Sequence, residues 1–313
     1  IKEISQAKGF GGVINRQVAA LVQSEYPELF PVAFWQFHGG KTVFLQDGDS
    51  LHLPVSQLVE VLGLLKEKLP SIQRITTYAR SRTLLRWTVE ELVLLRETGL
   101  NRIHVGLESG NDQILEFMQK GVTGVQHAEA GQKVKAAGIS LSEYVILGLG
   151  GTKLWREHAL DTAKILNEIN PDFIRMRTLA VPPEAPLFKK VQQGEFKLLH
   201  DDDVVREEAL FVEHLEGIES VFYSDHILNL LEEVYGNLPE DKPAMQKTIN
   251  SYLLLTASDR ERFRLGRRTG YYRNLADRHD QALELAVERI YQQLQIEGIT
   301  VDDYILQLMR RFI

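Results

Sequence analysis

The stretch RITTYARSRTLLRWTVEELVLLRETGLNRIHVGLESG, residues 74–110, reads as strand, helix, strand. Residues 74–78 and 102–106 are short runs rich in β-branched side chains, whereas residues 88–98 place apolar side chains at helical spacing. Thr88 stands where a capping hydroxyl opens a helix, and Gly99 stands where a helix ends, just before the second strand. Two strands separated by a helix predict a parallel pair joined by a crossover.

The same unit recurs outward from this stretch. Further strands are expected at 42–46 (TVFLQ), 141–147 (LSEYVIL) and 172–177 (DFIRMR). Helices are expected at 56–69, 112–119, 123–137 and 154–169, with start signals at Ser56, Asp112 and Thr123 and a stop at Gly138. Strands and crossover helices in alternation predict an α/β fold, either a barrel or partial barrel or a doubly wound sheet. Residues 1–9 and 13–25 read as helices, so the pattern begins without a strand. After Pro186 it becomes mainly helical, at 201–216, 242–258 and 276–312, with a short apolar piece at 220–223. The expected division is a partial barrel over 1–198 and a helical region over 199–313. In the last helix Leu283, Ala286, Val287, Ile290 and Leu294 form an apolar stripe suited to docking on the barrel or on a second copy.

Composition narrows the chemistry. The 313 residues include 36 basic and 43 acidic side chains, a formal charge of −7, and 44% are hydrophobic, enough for a large core. No apolar run approaches the roughly 18–20 residues of a membrane helix, and no basic-then-apolar segment follows Ile1, so the expected location is cytoplasmic with no membrane partner. There is no cysteine, which excludes disulfides, thiol nucleophiles and thiolate metal sites built from these residues. The nine histidines are scattered, with neither HExxH nor GxSxG in the chain. A zinc hydrolase or a serine hydrolase is therefore disfavoured, and Asp225-His226 is the one adjacent metal-type pair to test. His104 reads as a packed strand histidine, and His200-Asp201-Asp202-Asp203 as a solvated helix start.

In βα barrels the reactive groups lie where strands run into loops. The first strand ends in Asp47-Gly48-Asp49-Ser50, two carboxylates for an amine or a metal around a glycine that admits close backbone approach; the same residues also suit a helix-capping turn. The second ends at Tyr78-Ala79-Arg80-Ser81-Arg82. The third ends in Gly106-Leu107-Glu108-Ser109-Gly110, where Glu108 suits a ribose diol or a cap. The fourth, Gly148-Leu149-Gly150-Gly151, offers backbone amides to a ligand but lacks the Lys-Ser/Thr of a P-loop. On the fifth, Arg175 and Arg177 share a face and suit either a carboxylate in the barrel interior or the surface.

The series VFLQDGDSL, ITTYARSRTLL, RIHVGLESGND, KGVT, YVILGLGG and PDFIRMRTL resembles the radical S-adenosylmethionine (radical SAM) superfamily, in the branch with DGD and GLESG signatures, over roughly residues 1–230. The resemblance implies a partial (β/α)6 TIM-like barrel whose [4Fe-4S] cluster reduces S-adenosylmethionine to a 5′-deoxyadenosyl radical. It places the cofactor's amino group at Asp47, Gly48 and Asp49, and its ribose and carboxylate at Glu108, Tyr78, Arg82 and Arg177. Gly148 and Gly150 fall beside the adenosyl group. The family's CxxxCxxC loop and first strand have no counterpart here and are expected upstream of Ile1, and residues 9–40, with Trp35 and His38, look like an insertion. Ser224-Asp225-His226 with Asn229 resembles a motif of this branch without an assignable role. A reductant such as flavodoxin or ferredoxin and an unidentified small or macromolecular substrate are implied.

A different class of function is a catalytically silent barrel that binds a nucleoside-like ligand, or RNA. Residues 260–278 hold seven arginines interleaved with Phe263, Tyr271 and Tyr272, a composition suited to phosphate contact and base stacking. Asp259, Glu261 and Asp277 dilute that charge, and packing is the preferred reading.

Overall fold

All five expected strands form, and they pair side by side in the order in which they occur in the chain. In a computed structural model that describes residues 1–46 and 48–309, with the side chain of Met309 excepted, these are β1 (Thr42–Leu45), β2 (Arg74–Ala79), β3 (Leu100–Glu108), β4 (Ser140–Leu147) and β5 (Phe173–Thr178), all parallel. The short piece near 220 becomes β6 (Val221–Tyr223), parallel to β5, and β7 (Tyr235–Asn237) closes the series as an antiparallel edge. The sheet thus runs past residue 198, and it does not close on itself.

The helices alternate with the strands. An N-terminal group of α1 (Lys2–Ala7), α2 (Arg16–Glu25) and α3 (Phe30–Phe37) precedes β1, followed by α4 (Val55–Lys68), α5 (Ser81–Leu84), α6 (Val89–Thr98), α7 (Asp112–Phe117) and α8 (Gly124–Ala136). Then come α9 (Gly151–Ile169), α10 (Pro186–Gln192) and α11 (Asp201–Glu213). The chain finishes with α12 (Lys242–Leu253), α13 (Ala257–Arg268), α14 (Gln281–Glu297) and α15 (Val301–Met309). Thr88 and Thr123 each close a capping box, with Glu91 and Gln126, so the hydroxyls legible in the sequence do start α6 and α8.

Consecutive parallel strands joined by crossovers of one hand put the crossover helices on the same side of the sheet. A doubly wound sheet needs the strand order to reverse, and here it does not, so the architecture is a partial TIM-like barrel. Strand residues alternate accordingly. Ile75, Ile103, Val105, Leu141, Ile174 and Phe222 face the helices, each no more than 1% exposed, and form the main core with α4, α6, α8, α9 and α11. The other face carries Phe44, Tyr78, His104, Tyr144 and the arginines of β5. Rings of Phe44 on β1 and His104 on β3 stack at 5.6 Å across the intervening strand, which requires this face to be concave.

Two expected helices are broken. The 242–258 helix stops at Leu253, because Thr256 starts a new one by accepting the Asp259 amide. The 276–312 helix is a 3-10 turn at Leu275–His279 followed by α14 and α15, parted by Gly298 at φ +68; positions 310–312 lie outside the described residues. Val18, Val22 and Ala33 form a small core of their own with Phe10, Ile14 and Tyr26, consistent with an insertion over 9–40. Among the described residues no helix is long and apolar enough to cross a membrane.

Candidate functional site

The turn after β1 is built on Thr83. Its hydroxyl, presented by α5, donates to Oδ2 of Asp49, while Oδ1 of the same carboxylate is buried and has no hydrogen-bond partner. The Trp87 indole donates to the Leu51 carbonyl at 3.1 Å and ties the same turn down. Gly48, at φ +90, has open space where a Cβ would stand, so a ligand can approach its backbone. Asp47 lies outside the described residues. A buried carboxylate oxygen with one side unsatisfied is an acceptor awaiting a cation or N–H donor.

At the end of β3 the ladder to β4 slips between Gly106 and Glu108, and Glu108 turns into the left-handed region at φ +61. Its carboxylate accepts from Lys120 at 2.6 Å. At the end of β4 Gly148, at φ +84, donates its N–H to Oε2 of Glu207 at 2.5 Å. A Cβ on Gly150 would fall 2.6 Å from the Leu154 carbonyl oxygen, so α9 can begin this close to the turn only with glycine there.

These two turns are joined underneath by residues that no local pattern marks. His158 of α9 donates from Nδ1 to Oε1 of Glu207 at 2.8 Å, and its Nε2 reaches the Glu108 carbonyl at 3.1 Å. Both side chains are fully enclosed. Burial works against the charged imidazole, but the Glu207 charge and the hydrogen bonds outweigh it and raise the His158 pKa above its ordinary value. The charged ring donates on both sides, bracing the β3 end against the β4 end. The only sequence signal is a histidine at a core position of a helix.

Tyr78 stands on the concave face, its ring 4.7 Å from Phe44, whereas Arg82 is exposed on α5 with its guanidinium beside the Gly121 loop. On β5 the Arg177 guanidinium lies 4.9 Å from the Tyr144 ring centre and donates to the Met176 carbonyl at 2.9 Å. Asp225 spans Arg175 and Arg177 at 3.8 and 3.7 Å. Asn229 receives a hydrogen bond from Thr178 at 2.9 Å and donates to the Met176 carbonyl and the Ser224 hydroxyl. The Ser224-Asp225-His226…Asn229 segment therefore clamps the upper end of β5.

The arginine-rich segment is largely internal. Arg260, Arg262, Arg264, Arg267 and Arg268 pair with Asp202, Glu288, Asp302, Glu232 and Asp201 respectively. Arg267 also donates to the carbonyls of Asn229, Leu230 and Tyr272. Five of its seven arginines are thus engaged within the fold. Among the described residues no group of three or more His, Asp and Glu side chains is arranged to hold a metal ion.

Residues 16–163 match the family described as the Radical SAM superfamily. This part of the chain is a radical SAM domain. A heme chaperone HemW of Bacillus subtilis is 26% identical over 164 residues, covering 50% of this chain and 41% of the relative. An uncharacterized protein of Methanocaldococcus jannaschii is 28% identical over 113 residues, 36% of this chain and 34% of the relative. The chain thus spans well under half the length of these curated relatives. An N-terminally truncated Elp3 of Methanocaldococcus infernus superposes with a TM-score of 0.51 at 14% identity, covering 75% of this chain and 60% of that one, and so shares its fold over that part.

Proposed function

We propose that the rim of the partial barrel binds S-adenosylmethionine for radical chemistry on a substrate not yet identified. The observation that carries this reading is the unpartnered, buried Oδ1 of Asp49 beside the open backbone of Gly48, a fit for the cofactor's ammonium group. Asp47, adjacent to Gly48 in the sequence, is assigned to the same group. Glu108 would hold the ribose diol, with the Lys120 contact fixing where its carboxylate points, and Gly148 and Gly150 would let the backbone pass close to the adenosyl group. Tyr78, Arg82 and Arg177 complete the set, Arg177 as the cation for the cofactor carboxylate.

Bound S-adenosylmethionine, once reduced, supplies a carbon radical able to abstract a hydrogen atom. The thiolates that a [4Fe-4S] cluster requires are absent from the chain, so these residues do not by themselves fit the cluster. A cluster would need thiolates supplied from outside these residues, with electrons from a flavodoxin or ferredoxin type donor in the cytoplasm. We assign the cofactor rim to residues 1–198 and its bracing, through Glu207, Asp225 and Asn229, to residues 199–313.

Titration with S-adenosylhomocysteine, a redox-inert analogue, tests the reading. Saturable binding should weaken by about tenfold or more in Asp49→Asn and in Glu108→Gln, the effect of one charge-assisted hydrogen bond. Absence of binding by the full-length, anaerobically reconstituted protein would sink it.

A further inference from the structure

The concave face gathers positive charge in an acidic protein. Arg74 of β2, Arg102 of β3 and Arg175 and Arg177 of β5 occupy its alternating positions, although the chain as a whole has a formal charge of −7. These cations act on one another and on a common neighbour. The pKa of Arg102 is lowered by burial, then by Arg74 and Arg175. His104, 7% exposed in the floor of the face, is held at about 4 by burial first and then by the field of Arg175, Arg102, Arg74 and Arg177, so it is neutral and its Nδ1 has no partner.

The counter-charges within reach are weak or already engaged. Asp225 is half exposed and stands beyond hydrogen-bond distance from both β5 arginines. Asp172 pulls on Arg102 but is held by Lys135 at 2.8 Å and by the Leu141 amide. The Nε of Arg175 is buried without an acceptor. Grouping like charges on a half-buried surface is unfavourable unless something else gathers there.

Between the cations lie flat faces. Rings of Phe44, Tyr78, His104 and Tyr144 approach one another at 4.7 to 5.8 Å across β1 to β4. Guanidinium groups cover the rings of Phe173 at 4.0 Å and Tyr223 at 4.9 Å. Aromatic faces accept a flat ring, and guanidinium forks accept its oxyanion.

We propose that this concave face is a binding site for a planar unsaturated acid, an aromatic or heteroaromatic ring bearing carboxylate or phosphate, and that such an acid is the molecule transformed. The last clause rests on the cofactor reading above; the binding itself does not. The face would hold this ligand by ring stacking and by at least Arg102 and Arg175, neither of which is assigned to the cofactor, although Arg175 shares Asp225 with Arg177.

Calorimetric titration of the full-length protein separates the contributions with four probes: terephthalate, neutral terephthalamide of the same shape, the flexible dianion adipate, and phenyl phosphate. Terephthalate or phenyl phosphate should bind about tenfold tighter than terephthalamide and adipate, and whichever is tighter names the oxyanion. Arg175→Gln and Arg102→Gln should each remove about tenfold, while Arg206→Gln, on the surface of α11, should change nothing. Equal binding of terephthalate and terephthalamide, no binding of either acid, or an unaltered Arg175→Gln overturns the proposal. Parallel titration with S-adenosylhomocysteine keeps the two readings apart: if that analogue fails to bind while the acid binds through Arg175, the cofactor reading falls and the acid site stands.

Discussion

His158 and Glu207, from α9 and α11, form an enclosed ion pair at 2.8 Å that reaches two strand-end turns at once, the Glu108 carbonyl through the imidazole and the Gly148 amide through the carboxylate. His158→Gln leaves the Glu207 charge buried without its partner, a loss of about 3–5 kcal/mol. Because the folded pKa of His158 is raised, its contribution is complete below the ordinary histidine value of 6.5 and is lost as pH rises through the folded value. Denaturant titrations of wild type and His158→Gln should therefore differ most in mild acid and converge in alkali. A gap that does not change with pH would mean that the pair is not ionic.

Glu108 holds a left-handed backbone at φ +61. An L-residue there costs about 1–2 kcal/mol that glycine does not. Glu108→Gly should accordingly be more stable than Glu108→Ala by about 1 kcal/mol, the reverse of the usual order in a strand, and neither should retain the affinity of wild type for S-adenosylhomocysteine. Urea midpoints for the two variants decide the first point.

Glu208, wholly enclosed beside Glu207, has its pKa pushed up to about 8 by burial, with Glu233 and Glu207 adding to the shift against a hydrogen bond from Ser224. The unfolded chain ionises this group from its ordinary 4.5, so between 4.5 and about 8 the folded state binds the extra proton and stability falls as pH rises. Glu208→Gln removes that dependence. Its melting temperature relative to wild type should rise on going from mildly acidic to mildly alkaline buffer, and a constant difference would contradict the assignment.

Arg267, 9% exposed, ties α13 to Glu232 and to three backbone carbonyls. Arg267→Ala strands those acceptors and should destabilise the protein by about 3–5 kcal/mol. If instead the variant folds as wild type does and loses affinity for single-stranded RNA in a filter-binding assay, the segment is a nucleic-acid surface and not a brace.

Local chemistry by itself determined the run of β and α elements. Period-two and period-3.6 patterns, the hydroxyls of Thr88 and Thr123 and the stop at Gly99 act within a few residues, so they are readable one segment at a time. The strand-end positions Asp49, Glu108 and Gly148 were legible for the same reason, since a loop after a strand is a local event. The breaks at Thr256 and Gly298 were not, because the apolar periodicity carries across each cap. Strands β6 and β7, three residues each, exist through their neighbours. Only the tertiary structure decided that Glu207 lies under Gly148, 59 residues away in sequence, and that arginines from three strands share one concave face. Burial, field and pairing depend on distance through space, and in the sequence those residues are merely charged positions far apart.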